Sequence, residues 1–167
     1  MTTLPDAEAL LAKLTAELRT VVTDETALVG IYTGGVWLAE RLHAALAVRP
    51  PLGVLDVSFY RDDYEKIGLH PQVKPSGIPF EVEGRSIILV DDVLYTGRTI
   101  RAAMNEMFDY GRPASIRLAA LIDRGGRELP IAAQFVGATL EVPAHQVLVL
   151  ERGPDQRLRL ALQERAQ

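Results

Sequence analysis

The chain has 167 residues, of which 48% are apolar and 24% are charged, and it carries a net charge of −4. This length suits one domain with a buried core, so we expect a single domain over residues 1–167. The absence of cysteine excludes disulfides and thiolate zinc sites, and the acidic balance disfavours general binding to nucleic-acid backbones. Residues 1–9 lack a basic leader, and no apolar run approaches the about 20 residues that cross a bilayer, so we expect a cytoplasmic protein without membrane contact.

Helical and strand-like patterns alternate along most of the chain. In chain order, the sequence predicts helix 6–22, strand 27–32, helix 36–47, strand 53–60, strand 85–90, a helix through 100–108 and strand 115–122. Shorter strand-like pieces follow near residues 135–137, 147–150 and 157–161. Because helices alternate with buried apolar strands, we expect an α/β fold built on a doubly wound parallel sheet.

Residues 61–79 interrupt this alternation. They contain three prolines, two glycines and several charged side chains, with no regular apolar spacing. A long insertion of this kind in a small domain is typical of a functional lid or a disordered loop. The sequence therefore predicts a flexible flap at about 61–79.

Polar or glycine-rich residues follow each predicted strand. In open parallel sheets, ligands bind at the carboxyl ends of the strands. The candidate positions are therefore residues 33–35, 56–61, 91–99 and 123–127.

The strongest pattern begins where the apolar run 87–90 ends. Asp91 and Asp92 come first, and the turn Thr96–Thr99 then leads into a helix. Backbone N–H groups at a helix start suit a phosphate, and Gly97 allows the close approach of that group. Two acceptor-only carboxylates match a pair of sugar hydroxyls. A helix cap and a solvated acidic pair would explain each feature separately, but together they favour a ribose 5-phosphate site.

The stretch 90–99, Val-Asp-Asp-Val-Leu-Tyr-Thr-Gly-Arg-Thr, resembles the phosphoribosyl pyrophosphate (PRPP) motif of the type I phosphoribosyltransferases. Asp56 with residues 60–63, Gly111-Arg112-Pro113, and residues 123–131 extend this resemblance to the pyrimidine operon regulator (PyrR) family. Members of that family can double as uracil phosphoribosyltransferases. The resemblance covers about residues 27–143.

The resemblance implies a type I phosphoribosyltransferase fold with a flexible flap and a small hood. It also implies the reaction of uracil with PRPP to give UMP and pyrophosphate, with Mg²⁺ carried on PRPP near Asp91 rather than in a protein metal site. A homodimer or tetramer is implied as well. The implied catalytic residues are Asp91, Asp92 and Arg61 of the flap. The implied ligand contacts are Val93, Thr96, Gly97, Arg98 and Thr99 for the ribose 5-phosphate, Thr33, Gly34 and Gly35 for pyrophosphate, and Ile122, Asp123 and Arg124 for uracil.

Two departures from the family pattern leave the function open. The pyrophosphate loop, usually Lys-Thr-Arg-Gly, is Tyr32-Thr33-Gly34-Gly35 here and contains no cation. A regulator that senses UMP, UTP or PRPP without turnover is therefore the alternative to an enzyme. A third candidate function is a regulator that binds pyrimidine-operon leader RNA. Arg127 is its retained contact, whereas Ala132 and Ala138 occupy positions that are basic in RNA-binding members.

Overall fold

The computed structural model describes residues 3–57 and 76–166. Its helices are α1 (Ala7–Arg19), α2 (Gly34–Leu46) and α3 (Arg98–Phe108). Its strands are β1 (Ala27–Ile31), β2 (Gly53–Leu55), β3 (Ser86–Leu94), β4 (Ser115–Asp123), β5 (Phe135–Thr139), β6 (Gln146–Arg152) and β7 (Leu158–Glu164). Within the described residues, no helix is long and apolar enough to cross a membrane.

The strands β1 to β5 form a parallel sheet in the order β2-β1-β3-β4-β5. The central strand β3 is apolar on both faces. Ile88 and Val90 pack on the side of α1 and α2, whereas Ile87 and Leu89 pack on the side of α3. A strand covered on both faces needs a continuous apolar run, which explains the pattern at 87–90. The predicted doubly wound parallel sheet is confirmed.

The three helices begin in different ways. Asp6 caps α1, since its Oδ1 atom accepts a hydrogen bond of 3.0 Å from the Glu8 amide. At α2, the N-cap residue Thr33 makes no side-chain capping bond to the described residues. At α3, the N-cap is Gly97, which has no side chain to offer. Helices α2 and α3 both start at the carboxyl edge of the sheet. In neither does an N-cap side chain bind the first amides of the helix, which are left to other acceptors.

Two strand-end predictions differ from the structure. The strand predicted at 53–60 is regular only over Gly53–Leu55, and residues 58–60 lie outside the described residues. Of the flap predicted at about 61–79, residues 61–75 lie outside the described residues, and residues 76–79 run along the sheet edge. Gly77 pairs with Val54 through two backbone hydrogen bonds of 2.8 Å, and Ile78 packs against the core. Burial of apolar side chains draws this end of the insertion onto the sheet edge.

Strands β6 and β7 form a separate antiparallel hairpin. Each is longer than the strand-like pieces predicted at 147–150 and 157–161. Leu148, Leu150 and Leu158 pack into the core formed with α1 and α2.

Glu8 on α1 fastens this hairpin to two helices. Its Oε2 atom accepts from the Leu158 amide at 2.9 Å, and Arg41 of α2 donates to both of its carboxylate oxygens. The bonds from Arg41 and Leu158 lower the pKa of Glu8 to about 2. One carboxylate therefore joins α1, α2 and β7.

Candidate active site

The acidic pair lies at the carboxyl end of β3. Asp91 is only 4% exposed, and its Oδ1 atom accepts from the Asp92 amide at 2.9 Å. The Oδ1 atom of Asp92 accepts in turn from the Val93 amide at 2.8 Å. One oxygen of each carboxylate is thus held by the backbone. Val93, predicted as a ribose phosphate contact, orients Asp92 through its amide.

The start of α2 lies directly against this pair. A Cβ atom at Gly34 would overlap the Oδ2 atom of Asp92 and lie 2.9 Å from its Cγ atom. A Cβ atom at Gly35 would overlap the Val90 carbonyl oxygen and lie 3.1 Å from the Asp91 Cα atom. Glycine is required where two backbones approach this closely. The structure therefore brings the predicted pyrophosphate loop, Thr33–Gly35, against the Asp92 carboxylate and the backbone of Asp91.

The turn from Thr96 to Thr99 begins α3 at the same edge of the sheet. Thr96 is 4% exposed, and its Oγ1 atom accepts from the Arg98 amide at 3.2 Å. Gly97 has a positive φ of 96°, and a Cβ atom there would lie 3.0 Å from two atoms of Ile131. Both the backbone conformation and the packing thus require glycine. The first turn of α3 contains no acidic residue, as expected where an anion is to approach the positive end of a helix.

The segment 128–131 supports this turn from outside. The amides of Glu128 and Leu129 donate to the Thr96 carbonyl at 2.9 and 3.2 Å. The Arg98 side chain forms an exposed ion pair with Glu128, with Nε to Oε1 at 2.8 Å. The Arg98 guanidinium therefore already has an acidic partner, and the Arg98 amide donates to the Thr96 hydroxyl. This support is not visible in the sequence, because Glu128 and Leu129 have no pattern of their own.

Strand β4 ends beside the turn with Ile122, Asp123 and Arg124, the residues predicted to contact uracil. Ile122 is fully buried. Burial opposes ionisation of Asp123, but hydrogen bonds from Arg127 and the Gly125 amide outweigh it and lower the pKa of Asp123. The Arg124 amide donates to the Leu94 carbonyl at 3.0 Å. This strand end is thus well ordered by its own bonds.

The Arg124 side chain turns away from solvent. It is 7% exposed, and its guanidinium carbon lies 3.9 Å from the centroid of the Tyr95 ring. A Cβ atom at Gly126 would also overlap that ring. Tyr95 is thus a packing residue between Arg124 and Gly126.

Arg127 lies inside the site's framework. It donates to the Ile131 carbonyl at 2.8 Å, to the Tyr95 carbonyl at 2.8 Å and to the Asp123 carboxylate at 2.6 Å. These bonds use all three of its nitrogens. The prediction that Arg127 contacts RNA or a regulator stays a prediction, and this geometry disfavours it.

Other predicted participants are less connected. Arg61 lies outside the described residues. The Asp56 amide donates to the Ser76 hydroxyl at 3.1 Å, at the edge of the sheet next to β1. Among residues 3–57 and 76–166, no group of three or more His, Cys, Asp or Glu side chains could hold a metal ion. The site does contain the two adjacent carboxylates of Asp91 and Asp92. Such a pair fits a Mg²⁺ ion that takes most of its ligands from a substrate and water.

A five-stranded parallel sheet, with an acidic pair and two glycine-containing helix starts at one edge, defines a phosphoribosyltransferase fold. The phosphoribosyl transferase domain family matches residues 2–151 of the chain. A hypoxanthine-guanine phosphoribosyltransferase from Bacillus anthracis aligns with a TM-score of 0.64 at 19% identity, covering 84% of this chain and 82% of that one. A hypoxanthine phosphoribosyltransferase from Staphylococcus aureus aligns with a TM-score of 0.62 at 22% identity, covering 83% and 74%.

Curated relatives give a narrower assignment. The bifunctional protein PyrR of Pseudomonas fluorescens is 52% identical over 167 residues, covering 98% of both chains. The bifunctional protein PyrR of Nitrosococcus oceani is 60% identical over 134 residues, covering 79% of this chain and 75% of that one. The chain belongs to the PyrR family of phosphoribosyltransferases.

Proposed function

We propose that this protein is a uracil phosphoribosyltransferase of the bifunctional PyrR type, which converts uracil and PRPP to UMP and pyrophosphate. The observation that carries the proposal is the contact of the Asp91–Asp92 pair with Gly34 and Gly35, beside the Thr96–Thr99 turn. A sugar diol and two separate phosphate groups need these three kinds of contact in one place. The relatives named bifunctional protein PyrR support the same reaction.

The ribose, the 5-phosphate and the pyrophosphate of PRPP each have a distinct partner. Asp91 and Asp92 accept from the ribose hydroxyls, and the amides and hydroxyls of the turn Thr96–Thr99 bind the 5-phosphate. Pyrophosphate lies against the backbone amides of Thr33–Gly35 at the start of α2. Because this loop contains no cation, its amides and the positive end of the helix carry the interaction.

Uracil lies against the backbone of Ile122–Arg124 at the end of β4. In the reaction, the bond from ribose C1 to pyrophosphate oxygen breaks, the bond from C1 to uracil N1 forms, and the N1 proton is released. Positive charge develops on the sugar ring as the first bond breaks. The carboxylates of Asp91 and Asp92 stabilise that charge, and the framework positions the two reactants. Water must be excluded, a role that we assign to the insertion containing Arg61.

Mg²⁺ bound with PRPP would supply positive charge beside the leaving pyrophosphate. Asp91 and Asp92, whose Oδ1 atoms accept from the Asp92 and Val93 amides, are the residues that would hold its water ligands. We also propose that the chain is a single domain, that it works in the cytoplasm and that it assembles as a homodimer or tetramer.

One observation favours a second function. The absence of a cation from the pyrophosphate loop would suit a regulator that binds UMP, UTP or PRPP without turnover. Leader RNA is the partner expected of such a regulator. The net charge of −4 and the internal bonds of Arg127 reduce the electrostatic support for that partner.

The test combines binding and turnover on one sample. Calorimetry with PRPP and with UMP, in the presence of Mg²⁺, measures the affinity of the site for each ligand. The rate of UMP formation from uracil and PRPP measures turnover. Asp92→Asn is the matched control, because asparagine keeps the oxygen that accepts from Val93 and loses the charge. UMP formation by the wild type and its loss in Asp92→Asn are expected. Binding without turnover across pH and Mg²⁺ concentrations would leave only the regulator.

A further inference from the structure

Arg124 connects three parts of the molecule. It belongs to the end of β4, and its guanidinium lies on the ring of Tyr95, which is part of the loop between the acidic pair and Thr96. It also reaches the segment 142–146, which ends at the first residue of β6. There its NH1 atom donates to the Gln146 carbonyl at 3.1 Å, and its NH2 atom donates to the carbonyls of Val142 and Pro143 at 3.1 and 3.3 Å.

We propose that Arg124 is a positioning residue for the nucleobase. It holds the segment 142–146 at a fixed distance from the backbone of Ile122–Arg124 and from the sugar-phosphate loop. This inference rests on the proposed function, because it assigns the nucleobase to the end of β4. Its consequence is specific: Arg124 sets the affinity for the base half of the ligand and not for the ribose phosphate half.

The chemistry of the contact supports positioning rather than simple packing. Burial lowers the pKa of Arg124, which is the mark of an unfavourable environment for its charge. Its Nε atom is buried with no hydrogen-bond partner among the described residues, and no described carboxylate pairs with it. An apolar side chain would fill this space at lower cost. A planar guanidinium can bind three carbonyls of one segment at once, and it thereby fixes where that segment lies.

A second arginine, Arg165, directly follows β7 and makes similar contacts. The Arg165 Nε atom donates to the Ala144 carbonyl at 3.1 Å, and its guanidinium lies 5.9 Å from the Tyr95 ring. The Arg165 amide also donates to the His145 carbonyl at 2.8 Å. Carbonyls throughout the segment are thus bound by two arginines that share one aromatic ring. Arg165 is an accessory contact, and Arg124 is the buried one.

The test compares UMP with ribose 5-phosphate, which is the same sugar phosphate without a base. Calorimetry gives the ratio of their affinities for the wild type, Arg124→Met and Arg124→Lys. In Arg124→Met, we expect UMP affinity and the KM for uracil to weaken by about tenfold or more, with ribose 5-phosphate and PRPP affinity within about twofold. Lysine keeps the charge but not the planar guanidinium. The ratio of UMP to ribose 5-phosphate affinity in Arg124→Lys should therefore lie between those of the wild type and Arg124→Met. Arg159→Met, on the far end of the same hairpin, should leave the ratio unchanged.

The outcomes separate the two proposals. Uracil turnover by the wild type tests the proposed function, whereas the ratio of UMP to ribose 5-phosphate affinity tests Arg124 even without turnover. A folded Arg124→Met variant with an unchanged ratio would overturn the inference, and so would equal weakening of both ligands. If the methionine variant does not fold, the lysine variant decides by the same ratio. A wild type that binds neither ligand rejects both proposals.

Discussion

The Oδ2 atom of Asp92 faces Gly34 so closely that no side chain fits between the acidic pair and the start of α2. The two residues lie on different elements, β3 and α2, and neither is near the other in the sequence. Their contact places a carboxylate beside helix amides that would bind an anion. The site therefore depends on a missing side chain as much as on charged ones.

Gly34→Ala should weaken PRPP binding by about tenfold or more, because the added methyl group would push the Asp92 carboxylate out of its position. Thermal unfolding should change little, since alanine favours the helix that begins there. Calorimetry with PRPP measures the first effect. Gly153→Ala is the control, because a Cβ atom there would meet only the ends of the flexible side chains Arg159 and Asp155. Equal PRPP affinity in the wild type and Gly34→Ala would refute this role.

Gly97→Ala should reduce the free energy of unfolding by about 2–3 kcal/mol, because it combines a left-handed backbone with a close contact to Ile131. Gly125→Ala separates the two causes. Gly125 also has a positive φ, of 73°, but a Cβ atom there would meet nothing within 4 Å. Urea unfolding should therefore show a smaller loss, of about 1 kcal/mol, in Gly125→Ala. Equal losses would mean that Ile131 contributes nothing.

Arg127→Met should reduce the free energy of unfolding by about 2–3 kcal/mol, because it leaves Asp123 and two carbonyls without their charged donor. The comparison is Arg98→Met, which breaks only an exposed pair with Glu128 and should cost at most about 1 kcal/mol. Urea unfolding of both variants gives the difference. A loss in Arg127→Met no larger than that in Arg98→Met would contradict its role as an internal strut.

Glu8→Gln should destabilise the protein at neutral pH but not in strong acid. The folded pKa of Glu8 is about 2, below the ordinary value of 4.5, so the unfolded chain binds its proton more readily. The stabilisation is therefore complete above about pH 4.5 and disappears as the pH falls toward about 2. We expect a difference of about 2–3 kcal/mol at pH 7.

Urea unfolding of Glu8→Gln and the wild type between pH 2 and pH 7 measures this dependence. Glu17→Gln is the control, since Glu17 makes only an exposed 4.0 Å pair with Lys13. A difference that stays constant with pH would show that the ion pair with Arg41 does not stabilise the fold.

Glu106→Gln should have the opposite pH dependence. The Oε2 atom of Glu106 is buried without a partner among the described residues. Burial raises the pKa of Glu106 against the effect of a hydrogen bond from Ser76, and the charges of Asp109 and Asp56 raise it further. The folded state thus holds the proton more tightly, and the wild type loses stability as the pH rises above the ordinary value. Relative to the wild type, Glu106→Gln should become more stable as the pH rises from about 4 to about 7. Thermal unfolding of both proteins over this range measures the difference. A difference in unfolding temperature that does not change with pH would contradict the prediction.

The central unit of the fold is predictable because its signals are local. The apolar run of β3, the acidic pair, the Gly97 turn and the helical spacing of α3 lie within 23 consecutive residues, from Ser86 to Phe108. The strand predicted at 53–60 was less accurate, since only three of its residues pair in the described sheet. The apolar composition of a segment does not show at which residue its backbone pairing with the next strand ends.

The role of Arg124 could not be predicted from the sequence. The family resemblance implies that uracil contacts the chain near Arg124, but no sequence pattern shows that the Arg124 guanidinium binds carbonyls of 142–146. Backbone carbonyls exist at every residue, so no pattern marks the ones that an arginine will reach. The same is true of Arg127, whose partners at Tyr95 and Ile131 are main-chain atoms.

The neighbouring strands β1, β3 and β4 lead at their carboxyl ends into the loop Thr33–Gly35, the acidic pair and residues 122–124. If the proposed function is right, a partly opened molecule in which any of these strands has separated would no longer hold PRPP. Bound PRPP should consequently slow hydrogen exchange at amides throughout the middle of the sheet, far beyond the loops it touches.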